Sequence, residues 1–304
     1  MTMRVEKLRA FIYFAGLALA LPAAAQERSG NADTQQVLVE GRKNLKKDIR
    51  DFVGAVTAQP HTRQLSRFEQ GVCPAVVGLP QGAQEKVVAR LRRVAKAADM
   101  LVADADCRPN VMVIVTTDKV AFMRAVLEEY PSFFWGMTKL QARKLIETPG
   151  PVAAWQVPGI TMSADGSLIP LDGNPSVTYG STGIATRTTT YASRIKPATR
   201  SEFLASIVVV EGDAIDGRTT TQLADYAAMR AFAATDPSRL IAAATVPTIL
   251  TLLDPASTSA TLSRWDLGIL RGLYREKNDA QWAGAQRDDM SREVARQVEQ
   301  AAKH

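Results

Sequence analysis

Few side chains in this chain are suited to acid–base, nucleophilic or metal chemistry, and their spacing restricts them further. Histidine, the usual proton carrier and metal ligand near neutral pH, occurs only as His61 and His304, which excludes a centre built from three or four imidazoles. Ser193 and Lys196 stand one helical turn apart, the S-x-x-K spacing in which a lysine activates a serine. Pro197 follows immediately and interrupts the helix that such geometry requires. Glu211, Asp213 and Asp216 crowd a glycine-containing turn, and carboxylate oxygens at such spacing are the type that binds Ca²⁺. The full acidic loop with a closing glutamate is missing, and turn formation ahead of a helix accounts for the same residues. No Walker loop, dinucleotide fingerprint or Ser/His/Asp constellation occurs.

The elements that must position these groups can be read from hydrophobic period. Residues 66–116 read as one β-α-β unit. A strand region over Phe68–Val77 is interrupted by Pro74, and Val87, Val88, Leu91, Val94, Ala95 and Ala98 then follow helical spacing. Asn110–Thr116 is a nearly continuous β-branched run, the mark of a strand covered on both faces. Two helices, Lys119–Tyr130 and Thr138–Glu147, end at the breaker Thr148-Pro149-Gly150-Pro151. Val152–Arg194 reads as an exposed hairpin excursion, with Asp165-Gly166 and Asp172-Gly173 as turns and Thr186–Tyr191 as a polar strand. Phe203–Val210 is a second buried strand, followed by a helix from about Thr219 to Ala234 that is apolar on almost every side and therefore belongs inside. Ser263 and Asp266 form a capping pair for the next helix, through Leu267, Leu270, Leu273 and Tyr274. A polar helix from Asp279 carries a thin stripe, Met290, Val294 and Val298, expected to dock on the surface.

Composition and the first residues indicate a compartment. With 304 residues, 46% hydrophobic and 22% charged, the chain can build a sizeable core, which excludes disorder throughout. Arg4, Lys7 and Arg9, the apolar run Ala10–Leu21 and the small residues Ala23-Ala24-Ala25 make a secretory signal over residues 1–25. The apolar run is shorter than the ~20 residues that span a bilayer. Cleavage near Ala25 removes Arg4, Lys7, Arg9 and Glu6 and lowers the formal charge from +6 to +4, a modest and scattered excess that argues against a nucleic-acid partner. Residues 26–40 read as a polar leader, followed by a short amphipathic helix through Leu45, Ile49, Phe52 and Val53. In an exported chain the two cysteines, Cys73 and Cys107, are most simply joined to each other.

The order of elements between residues 66 and 275 resembles the zincin metallopeptidases: an α/β start, a hairpin region, a strand leading to a buried helix, and a late helix opening Leu262-Ser-Arg-Trp-Asp266 and closing Leu273-Tyr274. The stretch Pro247–Leu250 together with that late helix also resembles uncharacterised exported bacterial proteins related to the same fold. In zincins the buried helix carries H-E-x-x-H, with two histidines on zinc and a glutamate that activates its water. Laid on this chain, the pattern places Ala224 and Ala228 at the histidines, Asp225 at the glutamate and Ala231-Phe232 at the following Gly-Leu. Alanine cannot ligate a metal, so the resemblance implies an architecture that has lost its zinc, needs no cofactor and packs carbon where ligands stood. Asp225 is then expected in an ion pair or a helix-end bond rather than as a general base.

The expected fold is therefore α+β: residues 26–65 as leader and helix, a zincin-like domain with a mixed sheet and a buried former active-site helix over 66–275, and a helical tail over 276–304. The expected function is a periplasmic or secreted, catalytically degenerate module that binds a peptide or envelope protein, without a membrane anchor. A hydrolase with an unusual carboxylate or metal site is the alternative, and a structural envelope protein using its terminal helix is a third.

Overall fold

A run of β-branched residues cannot leave either face in water, and this chain supplies two such runs that end up as neighbours in one sheet. The computed structural model of the protein describes residues 44–57, 64–162, 178–179, 185–186, 199–236, 239, 246–275 and 282–301, all within the unit Lys43–His304. The signal segment, the leader, His61, His304, Ser193, Lys196 and both Asp-Gly turns lie outside the described residues.

The chain enters through helix α1 (residues 44–56), whose Ile49, Phe52 and Val53 are buried while Lys47 and Asp51 pair on its wet side. Strand β1 (Pro74–Val77), helix α2 (Gln81–Ala97) and strand β2 (Val111–Thr116) form the expected β-α-β unit, with β1 and β2 parallel. Pro74 is the first residue of β1, where its missing N–H costs no ladder bond. Upstream of it the chain makes only isolated bridges, Arg67 to Glu202 and Val72 to Val102. Cys73 and Cys107 are joined in a disulfide, with Cα atoms 6.0 Å apart across 34 residues, so the β-α-β unit is stapled around its helix. Such a bond belongs to an oxidising compartment.

Helix α3 (Lys119–Glu129), a short 3₁₀ turn (Pro131–Phe134) and helix α4 (Lys139–Glu147) follow. Strand β3 (Val152–Met162) then pairs antiparallel with β6 (Thr199–Glu211) along its whole length, and β6 lies parallel to β2, giving the order β1-β2-β6-β3. Strands β4 (Thr178–Tyr179) and β5 (Ala185–Thr186) pair separately. Val152 therefore begins the edge strand of the main sheet instead of an exposed excursion. The sequence signal was diluted because β3 is covered on both sides: Ala153 and Trp155 are buried beneath α3 and α4, while Val152 and Ala154 pack toward the opposite layer.

Helix α5 (Thr220–Phe232) belongs to that opposite layer with α2, and helices α6 (Arg264–Tyr274) and α7 (Ala283–Ala301) complete it. The result is a mixed α+β fold in which the four-stranded sheet has one apolar core on each face. Helix α7 lies against α6 with Met290 and Val294 fully buried. The helices approach closely because α6 presents Gly268, where an added Cβ would stand 2.6 Å from the Val294 Cα. Among the described residues no helix is long and apolar enough to cross a membrane.

Candidate functional site

Helix α5 holds the positions singled out above. Its first turn is closed by a capping box, in which the Thr219 hydroxyl accepts from the Gln222 N–H and the Gln222 side chain accepts from the Thr219 N–H. From Leu223 to Phe232 every residue except Arg230 is buried. Ala224 and Ala228 have no exposed surface, so the positions matched to zinc ligands are carbon packed in carbon.

Asp225 is also fully buried, and both of its oxygens are occupied. Oδ1 accepts from Arg90 Nε at 2.6 Å. Oδ2 accepts from Arg90 Nη2 at 2.9 Å, from the Thr261 hydroxyl at 2.6 Å and from the Leu262 N–H at 2.8 Å. The pair is a two-pronged guanidinium–carboxylate contact, the strongest and most directional kind. The bond to Asp225 holds the Arg90 guanidinium above its ordinary range, against the opposing effect of burial. One carboxylate thus ties three elements together: α2 through Arg90, α5 itself, and the segment that enters α6.

Asp266 of α6 is a second fully buried carboxylate in this layer, held by hydroxyl and backbone N–H donors without a guanidinium. It completes the capping box with Ser263, and it also accepts from the Thr248 hydroxyl at 2.6 Å and the Ile249 N–H at 2.9 Å. Burial pushes its carboxyl above the usual range, and the bonds from Thr248, Ile249 and Ser263 work in the other direction. The capping pair was legible in sequence; the contacts with Thr248 and Ile249 were not, because a buried carboxylate does not announce which loop will return to it.

Zinc can be tested against these residues directly. Two alanines offer no lone pair, and the carboxylate between them spends its oxygens on four donors, so the residues present do not fit a catalytic zinc. The acidic turn after β6 is likewise dispersed. Glu211 accepts from the Lys119 N–H at the start of α3, whereas Asp213 and Asp216 are exposed on a 3₁₀ turn. Among the described residues no group of three His, Cys, Asp or Glu side chains is placed to hold a metal.

Two features beside α5 were not anticipated. The first is the outer edge of β3. Glu211 donates its N–H to Pro151 O at 2.9 Å, and doubly bonded pairs in an antiparallel ladder alternate with open ones. With the register Val152 to Val210, the bonded pairs recur at Ala153 and Trp155, and the backbone groups of Val152, Ala154 and Gln156 face away from β6. A bulge after Val157 and the missing N–H of Pro158 end this outward-facing pattern.

The second feature is Arg230, in the last turn of α5. Its Nη1 donates to the Tyr226 hydroxyl at 3.1 Å, and its guanidinium lies 5.9 Å from the centre of the Tyr226 ring. Gln156 of β3 donates its side-chain amide to the Arg230 carbonyl at 2.8 Å, which fixes this turn against the sheet edge. Periodicity alone does not reveal either feature, since a half-buried arginine at a helix end reads as a response to the helix dipole.

A buried carboxylate stands farther along β6. Glu202 is 3% exposed, and its Oε1 has no hydrogen-bond partner. Burial pushes its carboxyl up to about 7, nearby Glu69 pushes the same way, and Arg200 opposes both. Set against protein-family models, curated proteins and solved structures, the chain matches none of them.

Proposed function

We propose that this protein is an exported, non-catalytic peptide- or protein-binding module of the cell envelope, on a zincin-like scaffold whose metal site has become packed core. The single observation that supports it best is the outward-facing backbone of β3 at Val152, Ala154 and Gln156, directly beside the helix in which Ala224, Asp225 and Ala228 are sealed. An extended peptide adds to such an edge through main-chain bonds, a mode that needs no metal and tolerates many sequences. Zincins hold extended peptides along a sheet edge in the same manner, and the resemblance supplies that part of the reading. The disulfide is in keeping with an extracytoplasmic setting.

The test is to pan an octapeptide display library against the mature chain and follow hydrogen–deuterium exchange with a recovered peptide. The expected result is slowed exchange at Val152, Ala154 and Gln156. Ala154→Pro, which deletes an outward N–H while sparing the ladder to β6, is expected to abolish binding and keep the melting transition. Protection confined to other elements, or peptides that bind Ala154→Pro unchanged, would refute the assignment.

A further inference from the structure

Large apolar side chains left in water are few in this protein, and they are not spread evenly. Among the described residues six are exposed, and three of them, Tyr130, Trp135 and Leu140, fall within the eleven residues that run from the end of α3 through the 3₁₀ turn into α4. The exposure of Trp135 is fixed by its neighbours. Phe134 before it is buried and stacks on the Trp155 ring of β3 at 5.0 Å, and Trp155 Nε1 donates to Phe133 O at 2.8 Å. Gly136 after it has φ +81°, and a Cβ there would stand 2.3 Å from Pro158 of β3. The backbone on both sides of Trp135 is thus clamped to the sheet, which holds the indole outward in a set position. Tyr130 is steadied in turn by an edge-on contact with the Phe133 ring at 6.4 Å.

The charges of the same stretch carry one sign. Residues 130–146 contain Lys139, Arg143 and Lys144, all exposed, and no acidic side chain. On α4, Leu140, Arg143 and Lys144 recur at i, i+3 and i+4, so apolar and basic groups share one helix face, apart from buried Ala142 and Ile146. Glu128 and Glu129 bound the stretch on one side, and Glu147 on the other lies 3.9 Å from Arg124. The available area decides between occupants. Tyr130, Trp135 and Leu140 are 57%, 43% and 64% exposed. At no more than about 250 Å² each they offer roughly 400 Å², half of the about 800 Å² that each side of a stable protein interface buries. A bilayer surface asks for less, since tryptophan and tyrosine settle at headgroup depth, leucine enters beneath them and basic side chains meet anionic headgroups. We propose that Tyr130–Lys144 is a peripheral membrane-docking site, which inserts Tyr130, Trp135 and Leu140 into the headgroup layer of a bilayer containing anionic phospholipid. Such docking is reversible and needs no spanning helix, of which the described residues hold none. It does not depend on the peptide-binding reading of β3.

The experiment uses the mature chain without residues 1–25, whose apolar run would itself enter a bilayer. Flotation with vesicles of phosphatidylcholine alone, and of phosphatidylcholine mixed with phosphatidylglycerol, measures binding, and quenching by lipids brominated in the upper acyl chain reports which indoles insert. The mixed vesicles are expected to bind about a hundredfold more tightly, at about fivefold for each of the three basic side chains, and the excess is expected to fade at high salt. Lys139→Gln, Arg143→Gln and Lys144→Gln together are expected to erase it. Trp135→Ser combined with Leu140→Ser is expected to abolish flotation and keep the melting transition, since both side chains stand in water. Trp135→Phe is expected to remove the bromine quenching, and Trp282→Phe, which changes the other exposed indole, to leave it in place. No flotation with either vesicle, equal flotation with both, or a Trp135→Ser/Leu140→Ser chain that floats like the parent overturns the proposal. So does a concentration-dependent dimer, seen by sedimentation in place of flotation and abolished in that double variant, which would make the segment an interface between copies of the chain. Peptide binding at β3 is measured without vesicles, so either reading can fail without the other.

Discussion

Replacing Asp225 by Asn separates a structural carboxylate from a catalytic one. The change preserves shape but removes the charge that faces Arg90, and it presents an amide N–H₂ to donors. If Asn turns its oxygen toward Arg90 Nη2, Thr261 and Leu262, its nitrogen then meets Arg90 Nε, so at least one of the four bonds becomes a donor–donor contact. Breaking a buried ion pair by removing one partner costs about 3–5 kcal/mol. Arg90 keeps 26% of its side-chain surface in water, which softens the penalty to about 2–4 kcal/mol. For a domain of this size that corresponds to a melting temperature lower by about 5–15 °C. Circular dichroism or calorimetry on Asp225→Asn, Arg90→Met and the double variant provides the assay. The double variant should be less destabilised than the sum of the singles, with a coupling of about 1–3 kcal/mol. An Asn variant that melts with the parent, or a cycle with no coupling, would refute the reasoning. So would a hydrolytic activity that vanishes in Asp225→Asn while the fold and its melting temperature are unchanged.

Three other outcomes are expected. Because the folded state holds the Glu202 proton up to about 7 whereas an unfolded glutamate releases it near its ordinary value of 4.5, the folded protein binds more protons across that interval, and stability should fall as pH rises through it. Glu202→Gln should flatten that fall and melt above the parent at pH 8, which a series of melts at stepped pH will check. Cys73→Ala combined with Cys107→Ala opens the 34-residue loop and should cost about 2–4 kcal/mol, a loss that a reducing agent reproduces in the parent but not in the variant. Gly268→Ala places a Cβ 2.6 Å from the Val294 backbone and should force α7 away from α6, read as a lower melting temperature and faster exchange across Ala283–Ala301.

The period of apolar residues identified α2, β2, β6 and α5, because which face of an element avoids water is written locally and repeats every few residues. Residues 44–56 formed the short amphipathic helix for the same reason, and Ser263 and Asp266 capped α6 because capping is settled within four residues. The carbon-filled positions Ala224 and Ala228 were likewise a matter of residue type, since alanine has no lone pair wherever it lies. What the local pattern missed was β3: a strand buried on both sides loses the alternation that marks an edge, and the Asp-Gly turns beyond it drew Val152 into an excursion. The stripe on α7 signalled docking without naming its partner, because the close approach is permitted by Gly268 and Gly272 of α6, which face Val294 and Met290 and carry no apolar signal of their own.

Sequence alone determined that this chain has no histidine-rich centre, that its two cysteines have only each other, and that a lone carboxylate sits in its greasiest helix. Only the tertiary structure decided what that carboxylate does. Arg90 lies 135 residues before Asp225 and Thr261 lies 36 after it, and no local rule chooses one guanidinium among 37 basic side chains. That choice follows from α2 and α5 lying side by side, a long-range consequence of the β-α-β unit. The same packing treats the two charged residues of α5 differently: the Asp225 carboxylate reaches α2 through Arg90, whereas the Arg230 carbonyl accepts from Gln156 of β3 and its guanidinium rests against Tyr226. Periodicity sets what each helix buries, and chain topology sets which charges meet.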